Sequence, residues 1–552
     1  MQDKIKAILE RVLERPIPSS VSIEVSDDES HGHYATNAAF SIARETKSNT
    51  GAVARDLAEK IYKAAEKGFF EKVESTPNGF INFWLSPAAL QKELGEMLSK
   101  GDSYGSSDFL RGEKIQLEFI SANPTGPLTL ANGRGGFFGD ALANVLMHCG
   151  AKVEREYYVN DTGNQILTLG KSILAAAARL RGDSTRSGEA KEIPDEEKFY
   201  KGEYIKEWAV AHPAEVGSAA DPLALGKCVA ADLLKEIRRA IEEKARIHFD
   251  RWTSEDKDIH EKGFVEKALA IFKDRGMVYD AEGAVWLKTT EFGDDKDRVL
   301  ITSDKYPTYF LADAGHFLET KKRGFSDKIL VLGPDHYGYV KRISVAAELV
   351  GIEAFEAIVT QAIRLVENGV EVKMSKRKGK FVMFEELIDE VGADAARFFF
   401  LQVAPESHMD FDMGLAKERS AKNPVYYAQY AYVRANKIIE KVKSDPSVGS
   451  GQVRQIGREA LARLTGENEL RLIRALVQFP AMVAQAAATR RVHHLAQYAV
   501  AIAKSFHGFY EKERVAGVEK EIEEARVLLV RGVAAVLGNV FTMLGISKPE
   551  KM

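Results

Sequence analysis

The segment KIQLEFISANPTGPLTLANGRGGFFGDALANVLMHCG, residues 114–150, constrains the fold more than any other part of the chain. Its apolar start reads as a buried strand, and the pattern after Arg134 reads as an apolar helix. Between them, residues 121–136 hold four glycines, two prolines and a single charged side chain, Arg134. A strand, a glycine-rich loop and a helix in that order leave free N–H groups at the helix start, where anions bind. The unit belongs in a sheet of parallel strands joined by crossover helices.

The pattern recurs. From Glu113 to about Ala404, strand-like runs (KVEREYYV, KILVLG, EAIVT) alternate with helical segments, which predicts a parallel sheet. A helical insertion with polar loops such as RGDSTRSGEAKEIPDEE interrupts it between about 165 and 260. Residues 1–110 combine helical periodicity (KIKAILERVLER, GAVARDLAEKIYKAAEKG) with alternating strands (SIEVS, GFINFWLS). After Phe411 nearly everything reads as helix. The expected fold is α/β, with a Rossmann-like parallel-sheet domain over 111–410. A small α/β domain precedes it (1–110), and an all-helical domain follows (411–552).

Composition narrows the function. With 552 residues, 45% hydrophobic and 29% charged, the chain has the profile of soluble globular protein. Only Cys149 and Cys228 occur, without metal-ligand spacing, which argues against a disulfide framework or a cysteine-based zinc site. The first residues, MQDKIKAILERVLERPIP, are too charged for a secretory signal. The most apolar C-terminal run, VLLVRGVAAVLGNVFTML, is interrupted by Arg531, so no membrane span and a cytoplasmic location are expected. The net charge of −4 conceals an asymmetry: Phe411 onward carries 22 Lys and Arg against 14 Asp and Glu. Such a surplus suits a nucleic-acid partner, or is simply a basic surface.

Two familiar phosphate loops are excluded. GRGGFFG misses the dinucleotide fingerprint G-x-G-x-x-G because Phe138 stands at its last position. Gly170-Lys171-Ser172 imitates the end of a P-loop, but Gln165 stands where its first glycine belongs. A second loop, EVKMSKRKGKFV at 371–382, gathers Lys373, Lys376, Arg377, Lys378 and Lys380 around Gly379. A lysine loop opposite a helix N-terminus suits the triphosphate of ATP.

KMSKRKG followed by EELIDEVGADAARFFFL resembles the lysine-loop signature of class I aminoacyl-tRNA synthetases in its arginyl form. SANPTGPLTLANGRGG sits where arginyl-tRNA synthetases carry their H-I-G-H signature. HYATNAAFSIA and GFINFWLS resemble the family's N-terminal domain. EYYVNDTGNQI, PTYFLADAGHF and GPDHYGYVKR resemble its catalytic core, and NPVYYAQYA, FHGFYEKERV and LGISKPEKM its anticodon-binding domain. The resemblance covers most of the chain in order.

It implies activation of L-arginine by ATP, as the magnesium complex, to arginyl-adenylate, then transfer to tRNA(Arg); the first step generally needs bound tRNA. A monomer without a tightly bound metal is implied. Lys373 and Lys376 would contact phosphates, with Met374, Ser375 and Gly379 shaping the loop. Thr129 and Asn132 stand where the two signature histidines would be, and Ala131 replaces the glycine between them; Gly126, Pro127, Gly133 and His336 complete the nucleotide site. Thr and Asn donate hydrogen bonds but carry no titratable positive charge. Losing a charge-assisted donor costs on the order of 1–3 kcal/mol, or tenfold to a hundredfold in rate. For arginine, the resemblance assigns the guanidinium to Tyr309 and Asp313, one helical turn apart, with help from Glu118. Asn123 would take the α-amino group, and Ser121 belongs to the same pocket. Phe80 and Asn82 would read the tRNA D-loop, and Tyr427, Tyr430, Tyr510 and Met552 the anticodon side.

Three functions stay open on sequence. The first is a working synthetase. The second is a synthetase-like tRNA-binding protein that the altered loop has impaired. An oxidoreductase is the third, and the glycine spacing disfavours it. Asn160 and Asp161, after KVEREYYV, belong either to the pocket or to a turn.

Overall fold

The computed structural model describes residues 1–26, 28–181, 198–367, 369–371, 383–443 and 458–552. Its first sheet is antiparallel and joins β1 (Ile23–Val25), β2 (Tyr34–Thr36), β3 (Phe70–Ser75) and β4 (Ile81–Leu85) in the order β1-β2-β4-β3. The helices Gln2–Leu13 and Thr50–Ala64 bury one apolar face each in this unit, through Ile5, Leu9, Leu57 and Ile61.

The central sheet has five parallel strands: β5 (Lys114–Glu118), β6 (Lys152–Val159), β7 (Arg251–Ser254), β11 (Asp327–Leu332) and β12 (Ala354–Val359). Their order is β12-β11-β5-β6-β7. The chain enters at β5, winds outward to β7, then crosses back to β11 on the other side. That reversal between β5 and β11 opens a crevice at the carboxyl ends of the two strands, the usual ligand position in such sheets. Two small sheets flank it: β8 (Val278–Ala281), β9 (Ala284–Leu287) and β10 (Arg298–Ile301), then β13 (Ile363–Glu367), β14 (Val370–Glu371) and β15 (Met409–Asp412).

Helix Leu130–His148 follows β5 closely because its glycines permit it. A Cβ on Gly139 would stand 2.3 Å from the Phe119 ring, far inside van der Waals contact.

The structure corrects three sequence expectations. Arg251–Ser254, assigned to the helical insertion, is the edge strand β7, which stands between the helical segments Ala240–Lys244 and Glu255–His260. EELIDEVGADAARFFFL, whose amphipathic pattern predicts one helix, is two, Phe384–Val391 and Ala393–Leu401, because Gly392 between them has φ of 82°. Helix Lys520–Leu544 is, by length and composition, long and apolar enough to span a membrane, despite Arg531. Its apolar residues, among them Leu529, Val533, Leu537 and Phe541, are packed inside the helical domain.

One buried side chain ties the regions together. The Arg397 guanidinium, fully shielded from solvent, donates to Asp140 Oδ2 at 2.5 Å and to the carbonyls of Leu544, Ala245 and Arg246 at 3.3, 2.9 and 3.0 Å. Asn144, one turn along from Asp140, donates to the Met543 carbonyl at 3.0 Å. Removing one partner of such a buried ion pair costs about 3–5 kcal/mol.

Candidate active site

A cleft of about 1650 Å³ opens at the β5–β11 switch point. Backbone strain shapes its floor. Immediately after β5, Ile120 and Ser121 adopt positive φ, 66° and 38°, which a β-branched residue rarely does. The turn brings Ser121 to the cleft, where its Oγ accepts from the Tyr158 N–H at 3.0 Å.

The five residues assigned to arginine (Glu118, Ser121, Asn123, Tyr309 and Asp313) all line this cleft. Tyr309 begins the helix Tyr309–Lys322 and Asp313 lies one turn on, so both face the same space. Tyr309 is half exposed, a free aromatic wall. Asp313 lies deeper, and burial pushes its carboxyl up to about 7. The charges of Glu255 and Glu118 push the same way, whereas the Tyr339 hydroxyl, which donates to Asp313, and His316 pull it down.

Glu118 is less available than the sequence implies. The buried Lys328 ammonium donates to it at 2.9 Å and to Gln116 at 2.6 Å, and His316 lies 3.8 Å away. His316 also bonds Glu156 at 2.7 Å and stacks on the Tyr158 ring with centroids 4.3 Å apart. Despite its burial Glu156 is held at about 2 by the charges of His316 and Lys328. The carboxylate that the sequence reading missed is Glu255, just past β7. It lines the cleft while 4% exposed, and accepts from the Tyr158 hydroxyl at 3.1 Å. No local pattern marks Glu255, because its role depends on β7 being a strand beside β6.

The nucleotide end is built differently. Gly126, Pro127, Thr129, Ala131, Asn132 and His336 line the same cleft. Thr129 and Asn132 are turned partly on each other: Asn132 Oδ1 accepts from the Thr129 N–H at 2.9 Å and from its hydroxyl at 2.8 Å. Asn132 thus closes the start of its own helix. Gly133 is not part of the lining; a Cβ there would stand 2.2 Å from the Phe384 ring, so helix packing accounts for it. Arg134, the lone charge of the loop, is buried and donates to the carbonyls of Gln361, Ala404 and Ser407, each at 2.8 Å, so it serves the scaffold.

Lys373, Met374, Ser375, Lys376 and Gly379 lie outside the described residues. The chain after them is anchored beside the loop. Met383 bridges Thr129 and lines the cleft, and the Phe384 N–H donates to the Leu128 carbonyl at 2.9 Å. From the insertion, Tyr204 donates to the Thr125 carbonyl at 2.6 Å, and Lys201 joins the lining on the same side. Asn160 lines the cleft with its buried Oδ1 unpartnered, whereas Asp161 accepts from Ser254 at 2.6 Å and from the Asp256 N–H at 3.0 Å. Of the pair, Asn160 faces the pocket and Asp161 makes the turn.

Away from the cleft, Tyr427 and Tyr430 on helix Pro424–Lys443 meet helix His493–Lys512 around His507, with ring centroids 4.8 and 5.7 Å from it. Arg434 lies 4.2 Å over Tyr510 and donates to the Tyr430 hydroxyl at 2.9 Å. The three tyrosines therefore form one aromatic and cationic patch, to which the sequence reading had not assigned His507 or Arg434. Met552 is exposed. Phe80 is exposed and packs edge-on against Phe40 at 5.1 Å. Asn82, paired on β4 between Ala35 and Glu74, is only 6% exposed and offers little surface to a partner.

Comparison with known proteins agrees with this layout. Three family models match in succession: the arginyl tRNA synthetase N-terminal domain over residues 1–85, the class I (R) tRNA synthetase catalytic domain over 93–403, and the DALR anticodon binding domain over 428–552. The arginine–tRNA ligase of Staphylococcus aureus is 37% identical over 540 residues, covering 96% of this chain and 95% of that protein. That of Syntrophotalea carbinolica is 39% identical over 544 residues, covering 96% and 95%. The solved arginyl-tRNA synthetase of Thermus thermophilus shares the fold at a TM-score of 0.74 and 20% identity, covering 100% of this chain and 99% of that one. With its parallel sheet, its acidic cleft and its basic helical domain in the family's order, this chain belongs to the class I arginyl-tRNA synthetases, the arginine–tRNA ligases.

Proposed function

We propose that the two ends of the cleft divide the arginine–tRNA ligase reaction between them. Asp313 and Glu255 take the guanidinium of L-arginine, Tyr309 covers it, and Ser121 and Asn123 hold the α-amino end. The observation that carries this reading is that Asp313 and Glu255 line one pocket, and among the described residues Asp313 is held by the Tyr339 hydroxyl and by no ion pair, while Glu255 pairs only with His260, at 3.4 Å. An arginine side chain supplies the missing cation, and the desolvated site makes that pairing strong.

ATP enters as its magnesium complex and lies along Gly126, Pro127 and Ala131, with His336 opposite. The arginine carboxylate attacks the α-phosphorus and pyrophosphate leaves. A terminal ribose hydroxyl of tRNA then attacks the acyl carbon, and AMP leaves. No protein nucleophile is needed; positioning and charge carry both steps. Lys373 and Lys376 neutralise the phosphates. Met383, the first described residue after their loop, lines the cleft beside Thr129. Tyr427, Tyr430, Tyr510, Met552 and the exposed Phe80 face tRNA(Arg), and the enzyme works as a cytoplasmic monomer.

The test is arginine-dependent ATP–pyrophosphate exchange, with and without tRNA(Arg), and with lysine as the control amino acid. Exchange that needs both arginine and tRNA supports the reading. Folded protein that binds tRNA(Arg) yet gives no exchange would make this chain a tRNA-binding relative whose Thr129–Asn132 loop has lost the chemistry.

A further inference from the structure

Asp313 has a partner that neither the sequence motifs nor the family assignment identifies. Tyr339, the residue before helix Val340–Val350, donates its hydroxyl proton to Asp313 Oδ2. The phenol is itself held from two sides. The Arg342 guanidinium lies 5.0 Å over its ring, and His336 packs against its edge with centroids 6.3 Å apart at 67°. Among the described residues Arg342 has no carboxylate partner, and its buried Nε meets no hydrogen-bond acceptor. A buried guanidinium nitrogen without an acceptor calls for an explanation, and the tyrosine face supplies one.

We propose that Tyr339, clamped by Arg342, is a positioning residue of arginine recognition: it fixes one oxygen of Asp313 and leaves the other turned to the cleft for the substrate guanidinium. This rests on the assignment of Asp313 to the guanidinium. A carboxylate free to rotate would present its oxygens in many orientations, and the cost of choosing one would fall on each binding event. A donor that is already seated removes that cost.

The same hydrogen bond sets a pH limit. The groups facing Asp313 are His316 and Tyr309 on its own helix, Glu118 with its partner Lys328 from β5 and β11, and Tyr158 from β6. Glu255 adds its charge from beyond β7, and Tyr339, Arg342 and His336 face it from the segment after β11. Burial and the two glutamates hold the Asp313 proton on up to about pH 7, while the Tyr339 bond favours its loss. Without the hydroxyl the proton stays to higher pH, and arginine, which needs the ionised form, binds only there.

The experiment is the pH profile of kcat/KM for arginine in tRNA-supported pyrophosphate exchange, on the full-length wild type, Tyr339→Phe and Arg342→Met. The expected result for Tyr339→Phe is an acid limb displaced upward by about one pH unit. The loss is then about fivefold at pH 7, approaches tenfold by about pH 6, disappears by about pH 9, and lies in KM rather than kcat. Arg342→Met moves the limb the same way by less. A limb that does not move, or a loss of equal size at every pH, would overturn the proposal, since packing alone has no pH signature. If circular dichroism shows Tyr339→Phe unfolded, Arg342→Met decides by the same criterion. Asp313→Asn separates the two layers: if it keeps full arginine dependence, the guanidinium assignment falls and this proposal with it. If it is inactive while the limb is unmoved, only the role of Tyr339 falls.

Discussion

The two ends of the cleft are made by opposite strategies. At the arginine end, carboxylates from three separate elements converge, and each is seated by a neighbour: Glu118 by Lys328, Glu255 by Tyr158, Asp313 by Tyr339. At the nucleotide end the loop turns no charged side chain to the cleft, since Arg134 is buried against backbone carbonyls, and Thr129 and Asn132 bond each other. On the proposed assignment, recognition is built into rigid secondary structure, whereas phosphate charge comes from Lys373, Lys376 and the insertion's Lys201. Specificity sits in the scaffold and rate sits in the additions.

That contrast can be broken first at Asp313. Asp313→Asn keeps shape and loses the charge facing the guanidinium, so kcat/KM for arginine should fall several-hundredfold, about 3–4 kcal/mol. Exchange kinetics at varied arginine check it, and a loss below tenfold would place the guanidinium elsewhere. Lys376→Met comes next, with about a hundredfold loss in kcat and a small change in KM for arginine; equal losses in both would mean that the loop also shapes the amino-acid pocket. The third sharpens the contrast from the other side. Thr129→His with Asn132→His introduces the donors that the loop lacks and should raise kcat by about tenfold. It also removes the Asn132 cap, which costs about 1 kcal/mol of stability, read as a lower thermal midpoint. An unchanged kcat would show that the lysines already saturate the need for charge.

The smallest effect comes from pH alone. On the proposed assignment arginine binds the ionised Asp313, whose carboxyl is raised to about 7. Its affinity should fall about tenfold per unit below pH 7 and level off above it. For stability the sign is reversed: the folded state holds this proton more tightly than the unfolded chain, so the group's contribution is present in acid and declines between about pH 4 and pH 7. Calorimetric titration of arginine in buffers of different ionisation enthalpy detects the proton released on binding, and no release near pH 6 would contradict the assignment.

Much of this was readable in the sequence, for reasons that differ by residue. β5, β6, β11 and β12 announce themselves as apolar runs, and Tyr309 and Asp313 as a one-turn pair within a motif. β7 did not, since four residues at a sheet edge with one buried side chain carry almost no periodic signal. Missing β7 meant missing Glu255, whose place depends on that pairing. Gly133 misled for the opposite reason: a glycine in a phosphate-like loop looks functional, but the ring that requires it, Phe384, is 251 positions away. Tyr339 and Arg342 carried no signal until their rings and charges were seen together.

Arg397 has a consequence for how the chain is made. Two of its acceptors, Ala245 and Arg246, are synthesised well before it, but a third is the carbonyl of Leu544, 147 positions after it. While a ribosome is still extending the final helix, the catalytic sheet can be complete and yet contain a buried cation short of a partner. The catalytic region thus reaches its full stability only once that helix is in place, and translation that stops before it leaves a visibly defective product for quality control to remove.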